Sequence, residues 1–529
     1  MNKAKIYQKK ATEIIKESIK SVVYIDEKAW NPFEGIKYDK NIEEHIISKK
    51  LYKNLKDQGI NLNIHKFKKG EQDLPLSDNK KQYLFRDIDL VLLDWDLNEE
   101  DTLNEFSLKL LDDIIRQPHI HFCSIYSSSP YFDEIIQKVV AYFSGYSDED
   151  FDKIREQLEH NDDIIEILNE IDITSQPSGR TVGEVMRLDR NIFDQITTIT
   201  NLNNQESLIP MAISVNGNLS KPEVALDYST EIISKTGSEY ALIINNTVIS
   251  VLKKSHNKPK ALINNFSKLI SSDKNKSFFK LLGLDMQNQF SKYGAFIDPD
   301  ILNISFNTFM HHRKMMNKTG TKPSFDDFMK NLFIENSKLR LSNIHLEILE
   351  NEFLDKFRVI KKDLDNNELA LMNSFYNGAK IQNPEKRAVN FGDIFFNESD
   401  NNFYLCLTPL CDCIIRDGES NTDFKYYFVK GSKLNIKEGI EKGDGGFISY
   451  IDQNTCISWA AGEYVKPFQF YIPKPTIYKG YVNMFDWYKK QSYCEPFKYL
   501  FSLKQNYAQR IANQAFSHPV RVGVDFVKK

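Results

Sequence analysis

The seven residues Ile88-Asp-Leu-Val-Leu-Leu-Asp94 constrain this chain more than any other stretch. From Leu90 to Leu93 every residue is apolar. A strand formed there has no face to give to water, so it must be covered on both sides, as in a parallel sheet between helices. The run then stops at a carboxylate. Ligands gather at the carboxyl ends of parallel strands, which puts Asp94 where chemistry is done.

The flanking pattern agrees. An amphipathic helix is predicted within the first 20 residues, ahead of an apolar strand, Ser21–Asp26. Ile42, Ile46, Ile47, Leu51 and Leu55 recur at helical spacing, and Asn61–Phe67 alternates as a strand. Leu103–Arg116 reads as a helix, His119–Tyr126 as a strand and Tyr131–Lys138 as a helix. Val139–Phe143 reads as a fifth strand and Asp148–Leu158 as a closing helix. This alternation predicts a flavodoxin-like domain with a five-stranded parallel sheet over residues 1–165.

At 529 residues the chain is too long for one core, so a multi-domain protein, α/β plus α+β, is expected. Residues 166–385 read as a mainly helical middle region, with helices predicted over Thr181–Leu202, Lys260–Leu269 and Phe325–Leu371. A β-hairpin interrupts it, Tyr240–Ile244 and Thr247–Leu252, turning at Asn245-Asn246. Residues 386–529 carry short aromatic-rich strands between turn residues, including Phe403–Leu407, Phe424–Val429, Gly446–Ile451 and Gln469–Ile472. They predict a small β-barrel-like domain, followed by an amphipathic helix, Pro496–Phe516.

A net charge of −4 gives no global attraction to nucleic acid or to a membrane surface. No apolar run reaches the roughly 18 residues of a spanning helix. Six cysteines in a chain this long fit a reducing compartment, and the cytoplasm is the expected location. No P-loop, hydrolase elbow, nuclease carboxylate cluster or basic recognition helix is present. The chain is therefore not expected to be an enzyme.

Asp26 and Glu27 end the first predicted strand and Asp94 ends the third. Carboxylates converging on one sheet edge repel unless a hard cation such as Mg²⁺ neutralises them. An aspartate so placed can act as a nucleophile toward a phosphoryl group, with the cation offsetting the charge.

Ile25-Asp26-Glu27 and Asp89-Leu-Val-Leu-Leu-Asp94-Trp-Asp-Leu resemble the acidic pair and phosphoacceptor strand of response-regulator receiver domains, with Glu27 in place of a second aspartate. The resemblance implies Mg²⁺ bound by Asp26, Glu27, Asp94 and the backbone carbonyl of Asp96. It implies Asp94 as phosphoacceptor, Ser127 as the switch hydroxyl and a histidine kinase as phosphodonor. Aligning Ala141–Ser147 with the family's fifth strand puts Gly145 where a lysine normally touches the phosphate. On that alignment phosphorylation is expected to change the conformation little.

Gly392-Asp-Ile-Phe395, Tyr404–Asp412, Tyr507–Asn513 and Arg521-Val-Gly523 resemble the large receiver-containing subunits of Detocs-type phage-defence two-component systems. That implies a phosphate sink or regulator in antiviral defence, beside a second receiver-effector protein. The alternative is a degenerate receiver serving as an interaction module, with the C-terminal barrel binding or cutting nucleic acid. His119, His121 and Cys123 on one strand face are read as sheet residues, and Cys406, Cys411 and Cys413 lack the partner pair that zinc needs. His311-His312 is read as an inert pair on a helix surface.

Overall fold

The computed structural model describes residues 3–516 apart from 36, 69–77, 99, 227, 229, 237–238, 294–302, 319–324, 358–363, 382–385, 414, 417–418, 421, 444–446, 460–464 and 487–494. The chain divides into two compact units, residues 1–295 with 338–357, and residues 296–337 with 358–529.

The first unit is built on one seven-stranded sheet, with strands β1 (Ser21–Asp26), β2 (Asn61–Lys66), β3 (Leu90–Leu93), β4 (His121–Ser127), β5 (Thr230–Thr236), β6 (Glu239–Ile244) and β7 (Thr247–Lys253). Their order is β2-β1-β3-β4-β7-β6-β5. The first five in that order run parallel, while β6 and β5 are added antiparallel at one edge. Helices α1 (Lys3–Ser18), α2 (Glu43–Asp57), α3 (Asp78–Phe85), α4 (Glu105–Ile115) and α5 (Phe132–Tyr142) belong to this unit. They are followed by α6 (Asp148–Leu158), α7 (Asp162–Asn169), α8 (Gly179–Leu188), α9 (Ile192–Thr200) and α10 (Asn204–Val215). Beyond β7 come α11 (Leu262–Ile270) and α12 (Lys274–Tyr293).

Strand alternation splits the apolar residues between two cores. Val22, Tyr24, Leu90, Leu92, Phe122 and Leu252 share a core with α1, α2, α11 and α12. Val23, Ile25, Val91, Leu93, Ile125 and Val251 face the opposite way, onto α4 and α5. Helices α6–α10 close over a third core of their own, with Phe151, Ile154, Phe193, Ile196 and Met211 at its centre. That helical block and the β5–β6 hairpin are inserted between α5 and β7.

The five-stranded parallel sheet is present, but its fifth strand is β7, not Val139–Phe143. Ile135, Ile136, Val139 and Tyr142 are buried at helical spacing within α5, so the apolar run at its end continues a helix. The sheet therefore reaches well beyond residue 165. The hairpin at Asn245-Asn246 forms as expected, and Asn245 takes the left-handed conformation (φ 50) that the tight turn requires. Thr181–Leu202 is two helices, α8 and α9, and the helix starting at Phe325 ends at Leu341, with another beginning at Asn366.

In the second unit the strand pairings close on themselves. Residues 425–434 pair with 402–406, these with 393–397, and these with 495–503. Strand 495–503 pairs with 481–486, which pairs with 467–471, and 467–471 returns to 425–434. All are antiparallel. Phe395, Tyr404, Phe428, Phe470 and Phe497 point to one side and pack edge to face. Their neighbours Ile394, Leu405 and Val429 point to the other side, onto a C-terminal helix, Gln505–Ala515.

Residues 496–503 are strand, not helix: Phe497, Tyr499, Phe501 and Leu503 are buried at a period of two. Helical spacing starts only with Tyr507, Ala508, Ile511 and Ala512. Arg521-Val-Gly523 and Gly446 lie outside the described residues. Among the described residues no helix is long and apolar enough to cross a membrane.

One polar contact fastens β4 to β7 at their N-terminal ends. His121 Nδ1 donates to the His119 carbonyl at 2.8 Å, and Nε2 lies 3.0 Å from the Thr247 hydroxyl. Burial, with His119 nearby, pushes His121 down to about 4 from an ordinary 6.5. The unfolded chain binds a proton in this window that the folded chain refuses. Stability is thus full above about pH 6.5 and is lost as pH falls toward 4, by roughly 3 kcal/mol from this group. Urea unfolding across pH 4.5–7 should show a shallower pH dependence for His121→Gln than for wild type.

Candidate functional site

Strands β2 and β3 lie on opposite sides of β1, so the chain changes direction at β1 and opens a crevice at its carboxyl end. Ile25 sits opposite Leu93 in the parallel register, and the Asp94 N–H donates to the Ile25 carbonyl at 2.9 Å. That register carries Asp26, Glu27 and Asp94 to the same height. One carboxylate oxygen from each lies within 4.8 Å of the others.

The strand that completes the site comes from far along the chain. Ser127 ends β4 opposite Lys253 of β7, and the Lys254 N–H donates to the Ser127 carbonyl at 2.9 Å. The Lys254 ammonium then reaches back to 2.8 Å from Asp26 Oδ2 and 3.0 Å from Asp94 Oδ2. Asp26 is wholly buried and also accepts the Tyr24 hydroxyl at 2.5 Å and the Lys28 N–H at 2.7 Å. Asp94 Oδ1 accepts the Trp95 N–H at 3.0 Å. Glu27 is half-buried: one oxygen meets the Lys28 ammonium at 3.0 Å, while the other, Oε2, is buried without a hydrogen-bond partner.

Asp26 and Asp94 share one buried ammonium with Glu27 beside them, and the proton affinities of Asp94 and Glu27 record the imbalance. Burial pushes Asp94 up to about 8; Lys254 works against this, and the charges of Asp26 and Glu27 add to it. Glu27 is raised by burial and by Asp26. Burial opposes the charge on Lys254, but Asp26 and Asp94 overcome it and hold the ammonium above the ordinary lysine range. Tyr24, raised by burial and by Asp26, stays a neutral phenol that can only donate to that carboxylate.

The residues fit a divalent cation. Every donor is an oxygen, the site has excess negative charge, and the Glu27 Oε2 atom has no other partner. A cavity of about 530 Å³ opens beside the cluster, lined by Glu27, Trp95, Asp96, Ser129, Tyr131 and Lys138 among others. Asp96 lies exposed in that lining, and the Trp95 carbonyl next to it accepts the Ser107 hydroxyl at 2.6 Å. Ser127 is buried at the strand end, and its hydroxyl accepts the Ser129 N–H at 3.1 Å.

The structure thus brings Asp26, Glu27 and Asp94 together and puts Asp96 and Ser127 on adjacent strand ends. It corrects the reading of Gly145, which follows α5 in the left-handed region (φ 93) and ends no strand of the sheet. The position beside Ser127 is taken by Lys254. Sequence reasoning missed Lys254 and Tyr24. The available signal was the mostly apolar run Val248–Leu252, interrupted only by Ser250 and ending in Lys253-Lys254, as the two other strands end in acid. His119 and His121 engage backbone carbonyls and Thr247, and among the described residues the only cluster with metal-ligand geometry is Asp26, Glu27 and Asp94.

Residues 18–175 match the family model of the response receiver domain. No curated protein and no solved structure matches the chain. The matched span holds Asp26, Glu27, Asp94 and Ser127 and stops short of β7, so the lysine lies outside it.

Removing the ammonium leaves two buried carboxylates facing each other. Lys254→Ala should destabilise the metal-free protein by about 3–5 kcal/mol, the usual cost of breaking a buried ion pair. Millimolar Mg²⁺ should recover much of that loss. Urea unfolding with and without Mg²⁺ checks both expectations, and a loss indifferent to Mg²⁺ argues against cation binding at this cluster.

Proposed function

We propose that this receiver-domain protein accepts a phosphoryl group on Asp94, with Mg²⁺ held by Asp26, Glu27, Asp94 and the Asp96 carbonyl. The observation that carries the reading is Lys254, a buried ammonium within 3.0 Å of Asp94. An Asp94 oxygen attacks the phosphorus of a phosphohistidine on a partner kinase; the new O–P bond forms as the N–P bond breaks, and the imidazole leaves. When bound, Mg²⁺ would supply positive charge against the incoming phosphoryl oxygens and the clustered carboxylates. Lys254 lies close enough to Asp94 to move onto those oxygens, and Ser127 at the adjacent strand end offers a hydroxyl. Tyr24 and the Lys28 N–H keep the Asp26 carboxylate from turning.

The chain acts in signalling as a phosphate acceptor, not as an enzyme on a small-molecule substrate. The resemblance of its C-terminal segments to Detocs-type subunits favours a phosphate sink or regulator in phage defence, in the cytoplasm, opposite a second receiver-effector protein. Gly145 standing in for the lysine was one reason to doubt phosphorylation and its coupling to a conformational change. Lys254 in that place removes this reason and favours the phosphoacceptor reading over the degenerate one.

A co-encoded histidine kinase and labelled ATP should transfer label to the wild-type chain only with Mg²⁺ present. Asp94→Asn should abolish it, because the amide is a poor nucleophile and lacks the charge that helps hold the cation. In cells a sink predicts that Asp94→Asn raises pathway output, by freeing phosphate for the competing receiver. A fall in output marks an activator instead, and a wild-type chain that takes no label sinks the phosphoacceptor reading.

A further inference from the structure

We propose that Asn257 is a positioning residue that holds Lys254 in place between Asp26 and Asp94. A lysine stem is flexible and its ammonium strongly hydrated, so a buried ammonium bridges two carboxylates only where the backbone beneath it is fixed. Directly after β7 the chain makes a single turn, with the His256 and Asn257 N–H groups donating to the Lys253 carbonyl at 3.1 and 2.9 Å. Asn257 closes that turn.

Asn257 is a loop residue, yet it is 0% exposed. Burying an amide is costly unless both of its ends are satisfied. Here Nδ2 donates to Glu239 Oε1 at 2.9 Å, and Oδ1 accepts from Asn265 Nδ2 at 2.8 Å. The backbone carbonyl of the same residue accepts the Tyr126 hydroxyl at 2.6 Å. One residue thereby ties the Lys254 turn to β4 through Tyr126, to β6 through Glu239 and to α11 through Asn265. None of these partners belongs to the carboxylate cluster, so Asn257 acts on the site through the lysine alone.

The inference rests on the phosphoacceptor reading for its binding test, but its structural test does not. Beryllofluoride serves as the phosphoryl mimic and Mg²⁺ as the metal, with Trp95, whose N–H bonds Asp94, as fluorescent reporter. In the full-length chain, Asn257→Ala should weaken beryllofluoride binding about tenfold, a typical coupling between residues joined by one hydrogen-bond network. Mg²⁺ affinity should stay level or rise, because the competing ammonium is loosened. A general loosening of the site weakens both ligands together, and that result overturns the proposal. In a Lys254→Ala background, Asn257→Ala should cost nothing further, and additive losses overturn it as well.

If wild type binds no beryllofluoride, the phosphoacceptor reading fails while this one is still decided, by a crystal structure of Asn257→Ala. An ammonium still within about 3 Å of both carboxylates, ordinary hydrogen-bond range, refutes the positioning role. Should that variant not fold, Tyr126→Phe removes one tie of the same turn and is read in the same ways.

Discussion

Between β1 and β3 the first unit has to keep carboxylates of two adjacent strands in the same dry crevice, and one ammonium makes that possible. Lys254 stands 2.8 Å from Asp26 and 3.0 Å from Asp94 with its side chain almost wholly buried. Each of these charges alone is expensive to bury; together, with hydrogen bonds filling the remaining positions, they form a local arrangement the protein can tolerate. Much of the surrounding architecture follows from delivering that lysine. It must leave a strand lying beside β4, so β7 has to be parallel to β4 and level with it. The other edge of β7 must then be covered, and the β6–β5 hairpin covers it.

The balance at the site is deliberately incomplete. Asp26 has three donors and Asp94 has two, but Glu27 keeps a buried oxygen with none. A divalent, oxygen-seeking cation would meet that surplus. Tyr24 has a quieter part in it. Lying two residues before Asp26 on the same strand face, its phenol shares Oδ2 with the ammonium and fixes the carboxylate without adding charge.

The second unit solves a different problem with the same arithmetic. Its strands alternate, so one set of aromatic side chains packs ring against ring on the inside while other residues seat the C-terminal helix; a register shift opposite Ile394 and Phe395 moves Phe501 and Leu503 to the helix side, away from Phe497 and Tyr499. Phe497, Tyr499, Phe501 and Leu503 alternate just where the eye picks out an amphipathic helix. Aromatic-rich segments of mixed polarity satisfy both periods over a short window, and only the pairing with residues 393–397 and 481–486 selects the strand.

The sequence by itself determined that β1 and β3 are buried strands and that Asp26, Glu27 and Asp94 end them, because an apolar run stopped by acid has few other folds. It also determined the Asn245-Asn246 hairpin, whose turn chemistry is local. Only the tertiary structure decided which strand stands fifth in the parallel row. Val139–Phe143 and Thr247–Leu252 are both short and mostly apolar, and nothing local separates the end of a buried helix from a buried strand. The choice is made by neighbours: α5 needs Val139 and Tyr142 to cover the sheet, and β4 needs a partner, which it finds in β7 once the helical insert has been looped out. The identity of the lysine at the site follows from that choice, since a charge placed by strand pairing cannot be found by counting along the chain.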